Sequence, residues 1–165
     1  MDANGLGRYD FRGSDLHPRR TQDLSETENI ATLERFVEEV INQGRIEAAD
    51  ELVEENFVEL DPLPGQQQGR EGLKDVIRMM RSGFPDIHWV VEETIASDDK
   101  VVSRFNWTGT HRGDFLGIPA TGRRVTVSGV VIDRLRAGKM ADSRILMDTF
   151  GMMQQLGVIP APGNS

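Results

Sequence analysis

Four long segments rich in β-branched and aromatic residues occupy the second half of the chain, and they constrain the fold more than any other feature. They are Ile87–Ala96, Lys100–Thr110, Arg123–Arg136 and Lys139–Thr149. Residues of these types favour β-strands. Ser97-Asp98-Asp99 and Arg136-Ala137-Gly138 are typical of tight hairpin turns between them. This half is therefore predicted to form an antiparallel meander.

The first half of the chain has a helical pattern. Ser25-Glu26-Thr27-Glu28 has the form of a capping box, and apolar residues then recur at helical spacing as far as Gly44. Two further helices are predicted at Ile46–Val53 and Arg70–Ser82, with a short strand at Phe57–Leu60 between them. The order of elements predicts an α+β fold. Three N-terminal helices would pack on one face of a curved antiparallel sheet and enclose a cone-shaped pocket.

The chain reads as one domain. We predict a folded domain over residues 25–158, a flexible leader rich in Gly, Arg and Asp over residues 1–24, and a flexible tail over residues 159–165. No internal repeat or linker divides the domain.

Composition excludes several classes of function. A net charge of −8 and a pI near 4.9 argue against binding to nucleic acid or to an anionic membrane surface. The absence of cysteine excludes disulfides, thiolate nucleophiles and zinc–thiolate sites. No apolar run suits a membrane span or the core of a signal peptide. We expect a cytoplasmic protein.

A long motif lies between the second and third strand segments. It is FNWTGTHRGDFLGIPATGRRV, starting at Phe105, and VIDRLRAGKM follows it. This motif resembles the SnoaL-like polyketide cyclase family, and with the helical half and the closing GMMQQLG the resemblance covers residues 28–157. The resemblance implies a nuclear-transport-factor-2-like cone, usually a homodimer or higher homo-oligomer. It also implies hydrophobic polycyclic or polyketide ligands and no metal or organic cofactor.

The resemblance sets the phase of the strands, because side chains alternate between the two faces of a sheet. In that phase the residues that face the pocket are Ser103, Phe105, Trp107, Val127, Gly129, Val131, Asp133, Ser143, Ile145 and Met147. The catalytic aspartate of the family falls at Ile145, its His-Trp pair at Ser143-Arg144, and a histidine of the preceding strand at Val131. The arginine and aspartate of the related limonene epoxide hydrolases fall at about Phe105 and Trp107. The pocket is thus predicted to be apolar and to lack the usual acid–base groups.

Two aspartates are candidates for acid–base catalysis. Asp133 has inward parity near the end of its strand, or it pairs in solvent with Arg134 or Arg136. Asp148 has outward parity and suits the cap of a terminal helix, unless a bulge rephases the strand and turns it into the pocket.

Two cationic or titratable residues complete the catalytic candidates. Arg144 is either an oxyanion donor or an ion-pair partner in the sheet or between subunits. His111 could shuttle a proton at the pocket rim, or it could be a structural corner residue. The three histidines share no ligand-like spacing, which argues against a metal site.

The predicted ligand-binding surface is mostly flat and apolar, with Trp89 as a further aromatic residue suited to stacking. Its residues are Phe105, Trp107, Val131, Ser143, Ile145 and Met147. Two hypotheses follow. The protein is a cofactor-independent tailoring enzyme of polyketide or related secondary metabolism, either a ring cyclase or a hydroxylase. Alternatively, it is a non-catalytic small-molecule binding or assembly protein that uses the same cone.

Overall fold

A computed structural model describes residues 19–160, with side chains described from residue 25 onward. The elements, in chain order, are α1 (Arg19–Arg35), a π-helix (Phe36–Asn42), a 3₁₀ turn (Ile46–Ala48), α2 (Ala49–Leu52), β1 (Val53–Glu59), α3 (Gly69–Gly83), β2 (His88–Ser97), β3 (Lys100–Thr110), β4 (Arg124–Arg136), β5 (Lys139–Met147) and α4 (Thr149–Leu156). None of the helices in this part of the chain is long and apolar enough to cross a bilayer.

The first helix begins at Arg19, upstream of the capping box predicted at Ser25. That sequence lies inside the helix, where Glu26 has a tertiary partner: its Oε1 accepts the backbone N–H of Asp98 at 3.0 Å. The end of the predicted leader therefore belongs to α1, whereas residues 1–18 and residues 161–165 of the predicted tail lie outside the described residues.

A π-helix continues α1 as far as Asn42, and a glycine follows two residues later. Gly44 adopts a φ of +71°, and a Cβ there would collide with the side chain of Arg81. The guanidinium of Arg81 donates to the carbonyl oxygens of Ile41 and Asn42 at 2.6 and 3.1 Å. Arg81 on α3 therefore satisfies carbonyl groups that the end of this helix leaves without intrahelical partners.

Five strands form one sheet in the order β1-β5-β4-β3-β2. Strands β2 to β5 form the predicted antiparallel meander, and the hairpin turns lie where the sequence predicts them. The sheet as a whole is mixed, because β1 pairs with β5 in parallel. Sequence patterns near β1 cannot indicate this pairing, since the parallel partner comes after three other strands. Pairing irregularities between Val91 and Glu93 and between Arg134 and Leu135 bend the sheet.

The helices pack against the concave face of the sheet, where most of the core lies. Large side chains fill it, among them Phe57, Phe84, Phe105 and Trp107. The packing is incomplete, and a cavity of about 260 Å³ remains between the helices and the sheet. The predicted α+β fold with helices over a curved sheet is therefore confirmed. The cavity is the candidate ligand-binding site.

Candidate active site

The cavity wall is largely apolar. Helical residues such as Leu33, Phe36 and Ile77 form one side, and inward residues of the strands form the other. Every member of the inward set predicted from alternation lies on this wall except Gly129. These are Ser103, Phe105, Trp107, Val127, Val131, Asp133, Ser143, Ile145 and Met147. A wall of this composition suits a flat hydrophobic ligand.

Gly129 is absent from the wall because an aromatic ring covers it. A Cβ at this position would lie 2.5 Å from Cζ of Phe105. The Phe105 ring also stacks on Trp89, with centroids 4.1 Å apart and planes 20° from parallel. The missing side chain thus makes room for an aromatic pair on the sheet side of the cavity.

Asp133 is the member of the predicted inward set that carries a carboxyl group, and it is only 3% exposed. Its Oδ1 accepts the hydroxyl hydrogen of Ser143 at 2.7 Å. Burial raises the pKa of the Asp133 carboxyl to about 7, and the negative charges of Glu59 and Asp142 add to the rise, whereas the Ser143 hydrogen bond opposes it. A carboxyl with a pKa near neutrality can both take and return a proton.

Glu59 is a second carboxyl group on the cavity wall, and the sequence analysis missed it. The sheet register aligns Glu59 with Ser143 and Ser143 with Asp133, so the three residues form one row across β1, β5 and β4. Burial raises the pKa of Glu59 as well. A signal was present, because alternation puts Glu59 on the same face as the buried Phe57.

Arg144 lies on the outer face of the sheet, away from the cavity. Its Nε is 2.9 Å from Oδ2 of Asp61, and both side chains are about half exposed. Asp61 itself reaches the cavity rim. The geometry therefore matches the ion-pair alternative that the sequence left open for Arg144.

Asp148 is not on the cavity wall either. It is the N-cap of α4, where its Oδ1 accepts the backbone N–H of Gly151 at 2.8 Å. No bulge rephases β5 between Ser143 and Met147, so the outward parity is kept. The arrangement matches the capping alternative.

Replacing Asp148 by alanine is therefore expected to lower the free energy of unfolding by about 1 kcal/mol, because the N–H of Gly151 loses its acceptor. Urea denaturation measures this change. Turnover by the folded Asp148→Ala variant should equal that of the native protein. A stable variant that has lost turnover would contradict this assignment and would indicate that Asp148 takes part in catalysis.

His111 is fully buried beside the cavity but does not line it. Its ring stacks on Phe84 with centroids 5.0 Å apart. Its Nδ1 accepts the backbone N–H of Thr121 at 3.3 Å, and its Nε2 has no hydrogen-bond partner among the described residues. The imidazole thus links the start of the 111–123 loop to its end. This is the contact expected of a structural residue at the corner between strand and loop.

No group of three or more potential metal-ligating side chains occurs within residues 19–160. The polar groups that line the cavity are a few carboxyls and hydroxyls, the amide of Gln66, two indole N–H groups and one guanidinium that is bound to helix carbonyls. What the arrangement offers chemically is proton transfer inside an apolar chamber.

Comparison with known proteins agrees with the motif seen in the sequence. The model of the family described as SnoaL-like polyketide cyclase matches residues 31–156. Nogalonic acid methyl ester cyclase from Streptomyces nogalater is 27% identical over 124 residues, which cover 70% of this chain and 88% of the cyclase. The structure of TsrD from Streptomyces laurentii is similar with a TM-score of 0.75 and 28% identity, covering 81% of this chain and 97% of TsrD. A SnoaL-like protein from Jannaschia sp. CCS1 gives a TM-score of 0.74 and 27% identity, covering 90% and 100% of the two chains. The chain belongs to the SnoaL-like polyketide cyclase family.

Proposed function

We propose that the protein is a cytoplasmic, cofactor-independent tailoring enzyme that cyclises a polyketide-derived ring precursor by acid–base catalysis. The observation that carries the proposal is Asp133, a buried carboxyl with a pKa raised to about 7 that faces an apolar cavity. The relative from Streptomyces nogalater is a nogalonic acid methyl ester cyclase, which supports the same substrate class. The family position at Ile145 carries no acid, so Asp133 takes over that part.

The reaction begins with proton transfer. Asp133 removes a proton from a carbon next to a carbonyl group, and the C–H electron pair becomes an enolate. The enolate carbon then forms a bond to a second carbonyl carbon, whose oxygen becomes an alkoxide. The alkoxide takes a proton from the carboxylic acid of Asp133, or from that of Glu59 in the same row. Apolar surroundings strengthen the base and exclude water from these steps.

Ser103 is the proposed donor for the developing enolate oxygen. It lies on the cavity wall, and its strand partner Val131 is two residues from Asp133 on the same face of the sheet. Diagonal neighbours of this kind are about 7–8 Å apart, so one carbon–oxygen unit can lie between them. Hydroxyl donors aimed at developing charge are a main source of catalysis in such sites. Aromatic residues further along the wall would hold the flat rings.

The test is incubation of the purified protein with a polyketide methyl ester of the nogalonic acid type, followed by chromatography and mass spectrometry. A ring-closed product supports the cyclase. A product that has gained an oxygen atom supports the hydroxylase alternative instead. Tight binding with no product supports the non-catalytic binding protein.

The outer face of the sheet supports a further part of the proposal, a homodimer. Exposed apolar side chains lie on four strands of this face, and Leu146 on β5 is 63% exposed. The others are Val58, Val90, Ile95, Val130 and Ile132. Exposed apolar surface of this kind is typical of an interface.

Replacing Leu146 by glutamate is expected to convert a dimer into a monomer, because the interface would have to bury an unpaired charge. Light scattering coupled to gel filtration measures the mass of both proteins. Val158→Glu is the matched control, since Val158 is 50% exposed but follows α4 and lies off the sheet. A native protein that is monomeric, or a Leu146→Glu protein that stays dimeric, would contradict the interface.

A further inference from the structure

Leu116 has a backbone conformation that disfavours its side chain. Its φ is +52°, and the following Gly117 has a φ of +77°. Phe115 and Ile118 exchange two backbone hydrogen bonds of 3.0 Å around this pair. Two central residues with positive φ define a hairpin turn that favours Asn-Gly, and a leucine in this region is unusual and strained. Two other non-glycine residues with positive φ in the described chain are Asp98 and Ala137, which are small.

The strained turn has a firmly held base. The backbone N–H groups of Arg112 and Gly113 both donate to the carbonyl of Gly83, at 2.8 and 3.1 Å. A Cβ on Gly113 would lie 2.2 Å from the carbonyl oxygen of Ser82, so the loop approaches α3 closely. Phe115 is buried against Phe84, with ring centroids 5.1 Å apart. The position of the Leu116 side chain is therefore set by the loop base, and the local strain persists because the surroundings determine it.

The side chain of Leu116 lies at the rim of the cavity. It lines the cavity and is 45% exposed. The other lining residues in the exposed class are Glu34, Asp61 and Thr149, all of them polar. Leu116 is thus the apolar member of the rim among the described residues.

We infer that Leu116 is a substrate-contact residue that contributes to specificity, and that the strained turn is retained because it holds an apolar side chain over the bound ring. The inference rests on the proposed binding of flat hydrophobic ligands. The inference adds a residue outside the row of Glu59, Ser143 and Asp133. It also predicts that the residue at position 116 cannot favour both the stability of the fold and the affinity for the ligand. Asparagine would suit the turn better and leucine suits the ligand better.

The experiment uses 1,8-dihydroxyanthraquinone as the probe and measures quenching of the protein's own fluorescence. Both tryptophans of the chain, Trp89 and Trp107, lie on the cavity wall and report on its occupancy. Leu116→Asn is expected to raise the Tm by about 2–4 °C as the strain is relieved. The same variant is expected to bind the probe roughly fivefold more weakly, because an apolar contact is lost.

Two further variants separate the effects. Leu116→Ala keeps the disfavoured backbone but shortens the side chain, so it should weaken binding with no gain in Tm. Ala137→Asn creates the same Asn-Gly turn between β4 and β5, where φ is +48°, and Ala137 does not line the cavity, so this variant should raise the Tm and leave binding unchanged.

The outcomes that overturn the inference are distinct from failure of the proposed function. A Leu116→Asn protein that binds the probe as tightly as the native protein, or that melts no higher, overturns the role of Leu116 alone. A native protein that does not bind the probe overturns ring binding itself, and the inference falls with it.

Discussion

Asp133→Asn is expected to reduce the rate of cyclisation by about 10²–10⁴-fold, the usual contribution of a positioned general base. The amide is close to the carboxyl in shape and can still accept the hydrogen bond from the Ser143 hydroxyl, which is 2.7 Å long in the native protein. It cannot take a proton from carbon. Single-turnover kinetics with the polyketide ester measure the change, because they isolate the chemical step from product release.

Asp142→Asn is the matched control for that loss. Asp142 precedes Ser143 on β5, and its Oδ2 is 3.5 Å from Nε of Arg134 and not on the cavity wall. The same chemical change at this position should leave the rate within a few-fold of native. If Asp133→Asn retains full activity while it folds normally, the acid–base assignment is wrong and another group carries the proton transfer.

The pH dependence of stability should also change in the Asp133→Asn variant. Well below pH 3.8 the Asp133 carboxyl is protonated in both folded and unfolded chains. Between its ordinary pKa of 3.8 and the folded value of about 7, the unfolded chain releases a proton that the folded chain keeps, so native stability falls as pH rises. Above pH 7 the carboxyl is ionised in both states and the loss is constant. The shift corresponds to roughly 4 kcal/mol, a large share of a domain's stability.

The difference between variant and native protein isolates this effect from other titrating groups. Urea denaturation of both proteins from pH 4 to pH 8 should show Asp133→Asn gaining on the native protein up to about pH 7, after which the difference levels off. Asp86→Asn should show no such trend above about pH 5, because the N–H and hydroxyl of Thr110 hold the pKa of Asp86 below its usual value and the carboxyl is ionised in both folded and unfolded chains there. Parallel curves for Asp133→Asn and native protein would mean that Asp133 titrates normally.

Much of the site follows from alternation along strands that are tied together by short hairpins. A slip of one residue would expose Phe105 and Trp107 and bury Arg104 and Asn106, so the apolar pattern determines the phase. The inward position of Asp133 follows from the same pattern. The order of helices and strands predicted the α+β fold and the cone-shaped pocket, and the family motif that starts at Phe105 agreed with this phase of the strands.

The features that sequence reasoning missed depend on contacts between distant parts of the chain. The pairing of β1 with β5 brings Glu59 into the row with Ser143, and nothing near Glu59 indicates that neighbour. Glu26, one residue after the predicted N-cap Ser25, contacts the β2–β3 turn, and no local pattern indicates that partner. The π-helix depends on packing and on the carbonyl partners that Arg81 provides, neither of which has a local signature.

The parallel pairing of β1 with β5 also bears on how the molecule assembles. Strand β1 precedes every other strand in the chain, yet its neighbour in the sheet is the last one. Contacts between such distant segments have a high loop-closure cost and tend to form late, whereas the β2–β3 hairpin joins close neighbours. An intermediate with its hairpins in place would already have paired Trp89 with Trp107, but Glu59 would not yet have joined the row. Trp89 and Trp107 can therefore lie side by side before Glu59 reaches Ser143 and Asp133. The complete row of Glu59, Ser143 and Asp133 exists only in the fully folded domain.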